Sequence, residues 1–262
     1  MDRIRINFTT TGNGGPPVLL IHGMGASLYD WEALAPALAS AGFRTYAVDL
    51  PGHGESGKPD DPMLYSAEAI YSALECWIES LGFQQPVLLV GHSLGGYLSL
   101  RYAMRSPNKV RALALVNPFY SPRQLSPAMR WLQRRPFLGE KALRLVPQRI
   151  LHTMMGWDPT TVANFSPWAR QQIAADLKRC SPRIVYIPRT IPDLTPELHQ
   201  VKNPCLVIWG DHDRTLAPAS FPVLVSGLAE ASGQRVAGCG HQPHIGRPEL
   251  VNYLMLDFFS KR

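Results

Sequence analysis

Short apolar runs and longer amphipathic stretches alternate along the first 117 residues of the chain. Residues 18–22, 44–49, 87–91 and 110–117 are apolar enough to read as buried strands, each bounded by Gly, Pro or a polar turn. Between them, 29–41, 66–81 and 94–105 predict helices; in the second, Ile70, Leu74, Trp77, Ile78 and Leu81 recur at helical spacing. Strands that alternate with helices of this length predict the α/β class, a mostly parallel central sheet flanked by helices. Residues 4–9 suit an antiparallel edge. The pattern then changes. Residues 119–196 are rich in Arg, Pro, Trp and Met and carry helical periodicity without a buried strand. The best helices there are 128–135 and 138–155, interrupted at Pro136 and Pro147. Alternation resumes with a strand at 205–210, a helix near 218–229, a short strand at 234–237 and a last helix at 248–259. The organisation expected is one α/β core, 1–118 with 197–262, holding a helical insertion at 119–196.

Composition narrows the class. A chain of 262 residues, 45% hydrophobic and 18% charged, is ordinary globular sequence and long enough to hold a rigid site without disulfides or a structural metal. Cys76, Cys180, Cys205 and Cys239 are scattered and lack CxxC spacing, which suits reduced thiols in a cytoplasmic protein. The start, Met1-Asp2-Arg3-Ile4-Arg5, has no basic segment followed by an apolar one, so no secretory signal is expected. No apolar run approaches the ~20 residues of a membrane span. The net charge of +6 is concentrated in the insertion, where twelve Lys/Arg face four Asp/Glu.

The chemistry gathers in three places. Gly91-His92-Ser93-Leu94-Gly95 follows an apolar strand and opens a helix, the setting of a nucleophile elbow. So tight a turn needs small residues two before and two after the serine, and it puts the Ser93 hydroxyl at a helix N-terminus, where N–H groups favour negative charge. A serine hydroxyl needs a base to take its proton and an acid to orient that base. In this setting the chain order is Ser, then Asp or Glu, then His. Gly210-Asp211-His212-Asp213 closes one strand and Gly238-Cys239-Gly240-His241 follows the next. Asp213 is preferred to Asp211 because the loop must pass the strand end before a side chain reaches the histidine. His241 is preferred to His244, which follows Pro243 and reads as a packing histidine. The third place is His22-Gly23-Met24-Gly25, a glycine-spaced turn after a strand; the backbone N–H groups of Met24 and Leu94 could bind a tetrahedral oxyanion. His22 reads as structural.

These segments, with Asp49-Leu50-Pro51-Gly52-His53-Gly54-Glu55-Ser56 between the first and the elbow, occur in one order over nearly the whole chain outside 119–196. In that order they resemble the α/β-hydrolase superfamily, serine esterase and lipase types with a cap. The resemblance implies Ser93, Asp213 and His241 as the triad, Met24 and Leu94 as oxyanion donors, a helical cap after strand 6, and a structural role for the 49–56 turn, with His53 non-catalytic. Dehalogenases and epoxide hydrolases of this fold use aspartate at the elbow, where this chain has Ser93. Carbon–carbon hydrolases usually carry a tryptophan shortly after the histidine, where this chain reads His241-Gln242-Pro243-His244.

The expected function is therefore hydrolysis of carboxylic esters through an acyl-enzyme, or of a carbon–carbon or other acyl bond by the same triad. No cofactor and no metal are expected. His241 and His244 lack the four-residue helical spacing and the glutamate of zinc hydrolase motifs. The glycines at 12–15 lack the lysine of a phosphate loop and read as a surface turn. The partner expected is a small-molecule ester, with no nucleic-acid module; oligomeric state is open. In the insertion, Met129, Leu132 and Phe137 are the candidate substrate-binding residues. The apolar residues there are expected to pack on the core with the arginines solvated. The sharper expectation is a lipophilic acyl site with a basic rim that meets amphiphiles or a membrane surface.

Overall fold

The computed structural model describes residues 4–145, 147 and 165–262. Seven strands form one sheet: β1 (Phe8–Thr11), β2 (Pro17–Ile21), β3 (Arg44–Val48), β4 (Val87–His92), β5 (Val110–Val116), β6 (Cys205–Gly210) and β7 (Ala231–Val236). Their spatial order is β1-β3-β2-β4-β5-β6-β7. All neighbours are parallel except β1, which runs antiparallel to β3 with Phe8 opposite Val48. The strand order reverses between β2 and β4, and the carboxyl ends of these two strands are where an open α/β sheet binds ligands.

The continuous apolar runs follow from burial on both faces. Successive side chains point to opposite sides. Leu19, Ile21, Leu89, Leu113 and Val207 join one cluster with α2 (Ala67–Ser80) and α3 (Leu94–Arg105). Val18, Leu20, Leu88, Val90 and Ile208 join the other with α1 (Leu34–Ser40) and the last helix, Pro248–Ser260. Each such side chain contributes roughly 1.5–3 kcal/mol. The helix expected at 66–81 begins where Ser66 Oγ accepts from the Ala69 N–H, a cap the sequence carries openly. The helix expected at 29–41 divides into a 3₁₀ turn, Leu28–Trp31, and α1. Pro36 is the cause: its ring clashes with the carbonyl four residues back, so no helix runs through residue 32.

Between β5 and β6 lie α4 (Pro127–Gln133), α5 (Pro136–Leu145) and α6 (Pro167–Arg179), then 3₁₀ turns at Pro182–Thr190 and Thr195–Gln200. There is no strand among the described residues of 119–196. The segment follows the fifth strand, not the sixth: that position came from the family pattern, and the described chain forms five strands before it. The helix expected at 138–155 starts at Pro136, a residue suited to a first turn; it is described to Leu145, and the remainder of that expectation, Pro147 apart, lies outside the described residues. Helix α6 lies outside the helices that the periodicity predicts. Ser166 caps it by accepting from the Ala169 N–H, and it buries Ala169, Ile173, Ala174 and Leu177. The chain closes with α7 (Ser220–Gly227), α8 (Pro243–Gly246) and α9 (Pro248–Ser260). No described helix is long and apolar enough to cross a membrane. All four cysteines are free, and all but Cys76 are buried.

Candidate active site

Ser93 sits between β4 and α3 with φ 50° and ψ −109°, a left-handed conformation that a non-glycine residue adopts only under constraint. The constraint is legible in the flanking glycines. A Cβ on Gly91 would lie 2.4 Å from the Gly95 carbonyl oxygen, and a Cβ on Gly95 would lie 2.0 Å from that of Ile21. Only glycine lets α3 start this close to the end of β2. Leu94 is the first residue of α3, so its N–H has no partner within the helix.

The loops after β6 and β7 deliver the partner pair. A Cβ on Gly210 would lie 2.1 Å from the Gly240 carbonyl oxygen, and the His212 N–H donates to the Cys239 carbonyl, 2.8 Å. The two loops are thus laid against each other. His241 Nδ1 donates to Asp213 Oδ2 at 2.8 Å. With Nδ1–H engaged, the lone pair of a neutral His241 is on Nε2, the atom a base would use. Asp213 is fully buried at its side chain, while His241 is 21% exposed. Oδ1 of Asp213 accepts the Thr215 N–H (2.7 Å) and the Leu216 N–H (2.9 Å), and Oδ2 also accepts from Asn117 Nδ2 (2.7 Å). Burial pushes this carboxyl upward, but the His241 ring and the donated hydrogen bonds prevail and hold it below the usual aspartate range. Asp211 goes elsewhere, accepting the Gly238 N–H at 2.8 Å.

The Gly23–Met24 turn lies against Ser93: a Cβ on Gly23 would sit 3.2 Å from Ser93 Cβ. His22 fixes this turn, as its motif suggested. Its Nε2 accepts the Leu50 N–H at 3.0 Å, so Nδ1 carries the proton and donates to the Gly23 carbonyl at 2.6 Å. The peptide is planar and trans, so turning the Gly23 carbonyl toward His22 aims the Met24 N–H the opposite way. Asp49 locks the following turn through the Leu28 N–H, the Glu55 N–H and Asn7 Nδ2. His53 is fully buried there, and burial, with His22 nearby, pushes its imidazole down to about 3.

Three residues at the site were not singled out by sequence reasoning. Asn117 has φ 40°, donates to Asp213 and accepts the Gly210 N–H through Oδ1 (3.3 Å), joining the ends of β5 and β6. Its signal was a polar residue closing an apolar strand. His92, inside the elbow motif, donates from Nε2 to the His241 carbonyl at 3.0 Å, which ties the elbow directly to the histidine loop. Asp30 is buried beside His92 and His244, and nothing in its local sequence marks it. His244 packs as expected, stacked on Trp31 at 4.9 Å. Of the candidate substrate residues, Met129 is partly buried against the core, whereas Leu132 and Phe137 are 45% and 53% exposed.

A doubly wound parallel sheet with a strained serine at the β4–α3 turn, and a histidine–aspartate pair delivered by later strand ends, defines the α/β-hydrolase class. The chain belongs to that family: the model of the alpha/beta hydrolase fold matches residues 16–248. Among curated relatives, bifunctional epoxide hydrolase 2 of Sus scrofa is 40% identical over 119 residues, 45% of this chain and only 21% of that protein. A 2-hydroxy-6-oxononadienedioate/2-hydroxy-6-oxononatrienedioate hydrolase of Paraburkholderia phymatum is 27% identical over 98% of this chain and 92% of its own. A thermophilic esterase from Thermogutta terrifontis superposes with a TM-score of 0.85 at 26% identity, covering 98% of this chain and 94% of the esterase. The chain is thus an α/β-hydrolase.

Proposed function

We propose that this hydrolase cleaves carboxylic esters of lipophilic acids through an acyl-enzyme. The observation that carries the reading is the strained Ser93 beside a histidine loop whose His241 already donates to a buried carboxylate, Asp213. Ser93 Oγ attacks the ester carbonyl carbon and its proton passes to His241 Nε2. The carbonyl oxygen takes the negative charge between the N–H groups of Met24 and Leu94, each such donor being worth roughly 3–4 kcal/mol in the transition state. The intermediate collapses, the carbon–oxygen bond breaks, and His241 returns the proton to the departing alcohol. Water then repeats the sequence on the acyl-enzyme, releasing the acid and restoring Ser93.

In this reading residues 119–196 form a lid over the core, 1–118 with 197–262. Met129, Leu132 and Phe137 bind the acyl chain, and the excess of basic residues draws an anionic or amphiphilic substrate, or a membrane surface, rather than nucleic acid. The exposure of Trp131, Leu132, Phe137 and Leu145 favours it, because large apolar side chains at a surface mark a place for apolar partners. No cofactor takes part, and the protein acts in the cytoplasm. The relatives named as epoxide hydrolases do not shift the proposal. Opening an epoxide through a covalent ester needs a carboxylate at the elbow, and this chain has a hydroxyl.

The relative that hydrolyses a carbon–carbon bond over nearly this full length supports a second reading, the same triad acting on that bond. Hydrolysis of p-nitrophenyl esters from acetate to palmitate, native against Ser93→Ala, separates the two. A chain-length optimum abolished by Ser93→Ala is expected. No turnover on any ester, with Ser93 still labelled by a fluorophosphonate, would hand the site to the second reading.

A further inference from the structure

Behind the candidate triad, three segments far apart in sequence bring one carboxylate and two imidazoles together. Asp30 comes from the turn after β2, His92 from the end of β4, and His244 from α8 after β7. One ligand atom of each lies within 4.8 Å of the other two, and all three residues are buried. Asp30 Oδ2 is 3.4 Å from His92 Nδ1 and 3.6 Å from His244 Nε2, with side chains no more than 3% exposed. None of these three atoms has a hydrogen-bond partner among the described residues, an expensive arrangement for buried polar groups.

The donor inventory shows what is missing. His92 gives its Nε2–H to the His241 carbonyl, which can only accept. The lone pair of a neutral His92 is therefore on Nδ1 and faces the lone pairs of Asp30. His244, stacked flat on Trp31, turns Nε2 to the same carboxylate oxygen. Asp30 Oδ2 and His92 Nδ1 are thus two acceptors facing each other, and His244, whose Nδ1 and Nε2 both have no hydrogen-bond partner among the described residues, offers Nε2 as a third ligand atom when its proton sits on Nδ1; a cation balances that set. Ligand atoms about 2.0–2.1 Å from one tetrahedral ion stand roughly 3.3–3.4 Å apart, close to the two separations found. A metal-bound histidine commonly donates its other ring N–H to a backbone carbonyl, as His92 does.

We propose that Asp30, His92 and His244 bind a divalent transition-metal ion of the zinc class. Two imidazole nitrogens and one carboxylate oxygen select such an ion over magnesium or calcium, which prefer oxygen ligands throughout. A cavity of about 430 Å³ adjoins the cluster, lined by Asp30 and His244 together with the carboxylates Glu32 and Asp176. It offers room for water as a fourth ligand, with Asp176 there already paired to Arg179 at 2.6 Å. The ion ties together the turn after β2, the elbow and the turn after His241. Its role is structural, and its presence does not depend on which bond the hydrolase cleaves.

The test is metal retention by the untagged full-length chain. The protein is loaded with zinc or cobalt(II), dialysed, and assayed by mass spectrometry for bound ion and by visible absorption for tetrahedral cobalt. The expected result is about one ion per chain with tetrahedral cobalt bands, unaffected by excess magnesium. Asp30→Asn and His244→Gln should each weaken binding at least ~10-fold. His241→Ala and Ser93→Ala, which alter only the proposed catalytic groups, should retain the ion. Failure of the native chain to retain zinc or cobalt overturns the proposal, whatever the variants do. So does equal retention by Asp30→Asn and His244→Gln, which would place the ion on surface histidines, or its loss on His241→Ala, which would place it at the triad.

Discussion

Replacing Asp213 by asparagine changes one oxygen to an NH₂ and almost no volume, so its effect can be worked out atom by atom. Oδ1 of Asp213 accepts two backbone N–H groups, of Thr215 and Leu216. An asparagine must therefore keep its carbonyl oxygen there and put its NH₂ where Oδ2 was. At that position the aspartate accepts from His241 Nδ1 (2.8 Å) and Asn117 Nδ2 (2.7 Å). An NH₂ facing two donors is repelled by both. Flipping the amide only moves the conflict onto the two backbone N–H groups. His241 escapes by shifting its proton from Nδ1 to Nε2, accepting from the new amide and losing the lone pair that would receive the Ser93 proton. Trapping the wrong tautomer in a serine–histidine site lowers kcat by about 10,000-fold. That is roughly 5 kcal/mol of transition-state stabilisation. The assay is steady-state hydrolysis of p-nitrophenyl butyrate by Asp213→Asn and by Asp211→Asn, with near-ultraviolet circular dichroism to verify folding. Asp211→Asn should stay within tenfold of the native enzyme, since the partners of Asp211 are the Gly238 N–H and, at 3.9 Å, His212 and Arg235, rather than His241. A folded Asp213→Asn enzyme that keeps a tenth of native kcat, or loses activity through KM alone, would refute the tautomer argument.

Other expectations follow from the same geometry. Gly95→Ala drives a methyl group to 2.0 Å from the Ile21 carbonyl oxygen, backbone that cannot yield cheaply; a loss of at least about 3 kcal/mol in urea unfolding is expected, and an unchanged midpoint would mean the elbow is looser than its contacts imply. Burial holds the His53 imidazole neutral, down to about 3, whereas the unfolded chain titrates near 6.5. The unfolded state thus takes up a proton that the native state refuses, and stability falls as pH drops below 6.5, by up to about 1.4 kcal/mol per pH unit for this one group. His53→Asn should flatten the dependence between pH 6.5 and 4.5, and an identical slope in the variant would assign it to other groups. If the exposed Trp131, Leu132 and Phe137 serve a lipophilic substrate, activity should rise with acyl length and the protein should sediment with anionic liposomes. Indifference to both would remove the lipid part of the reading.

How much of this was legible beforehand varied with the kind of burial. The four apolar strands before residue 118 match the apolar runs within a residue or two because they are largely buried on both faces, with Arg44 and Arg111 as the exposed exceptions. Helix α3 was found to the residue, since the elbow glycines mark its start. The edge strand β7 begins at Ala231, three residues before the 234–237 that hydrophobicity predicts. Ala231–Val236 is mostly exposed and polar, and its pairing with β6, not its own hydrophobicity, makes it a strand. Helix α6 carries a weak apolar signal because its buried face holds two alanines, Ala169 and Ala174, and an acid, Asp176, beside only two large apolar residues, Ile173 and Leu177.

The sequence alone determined the elements whose physical cause is local: glycines that permit the elbow, prolines that stop helices, and apolar runs that must be buried twice. With the chain order Ser, Asp, His and the family resemblance, those were enough to propose Ser93 together with the two loops that carry Asp213 and His241. The tertiary structure alone decided which polar atoms meet. Asn117 is polar at a strand end, Asp30 is one acid in a 3₁₀ turn, and His92 and His244 are single histidines in motifs read for other residues. They become a hydrogen-bonded carboxylate and a buried cluster only because a parallel sheet collects its strand ends along one edge. That edge gathers residues more than 200 positions apart in sequence, Asp30 and His244 among them, within hydrogen-bonding or ligand distance, and no periodicity along the chain records it.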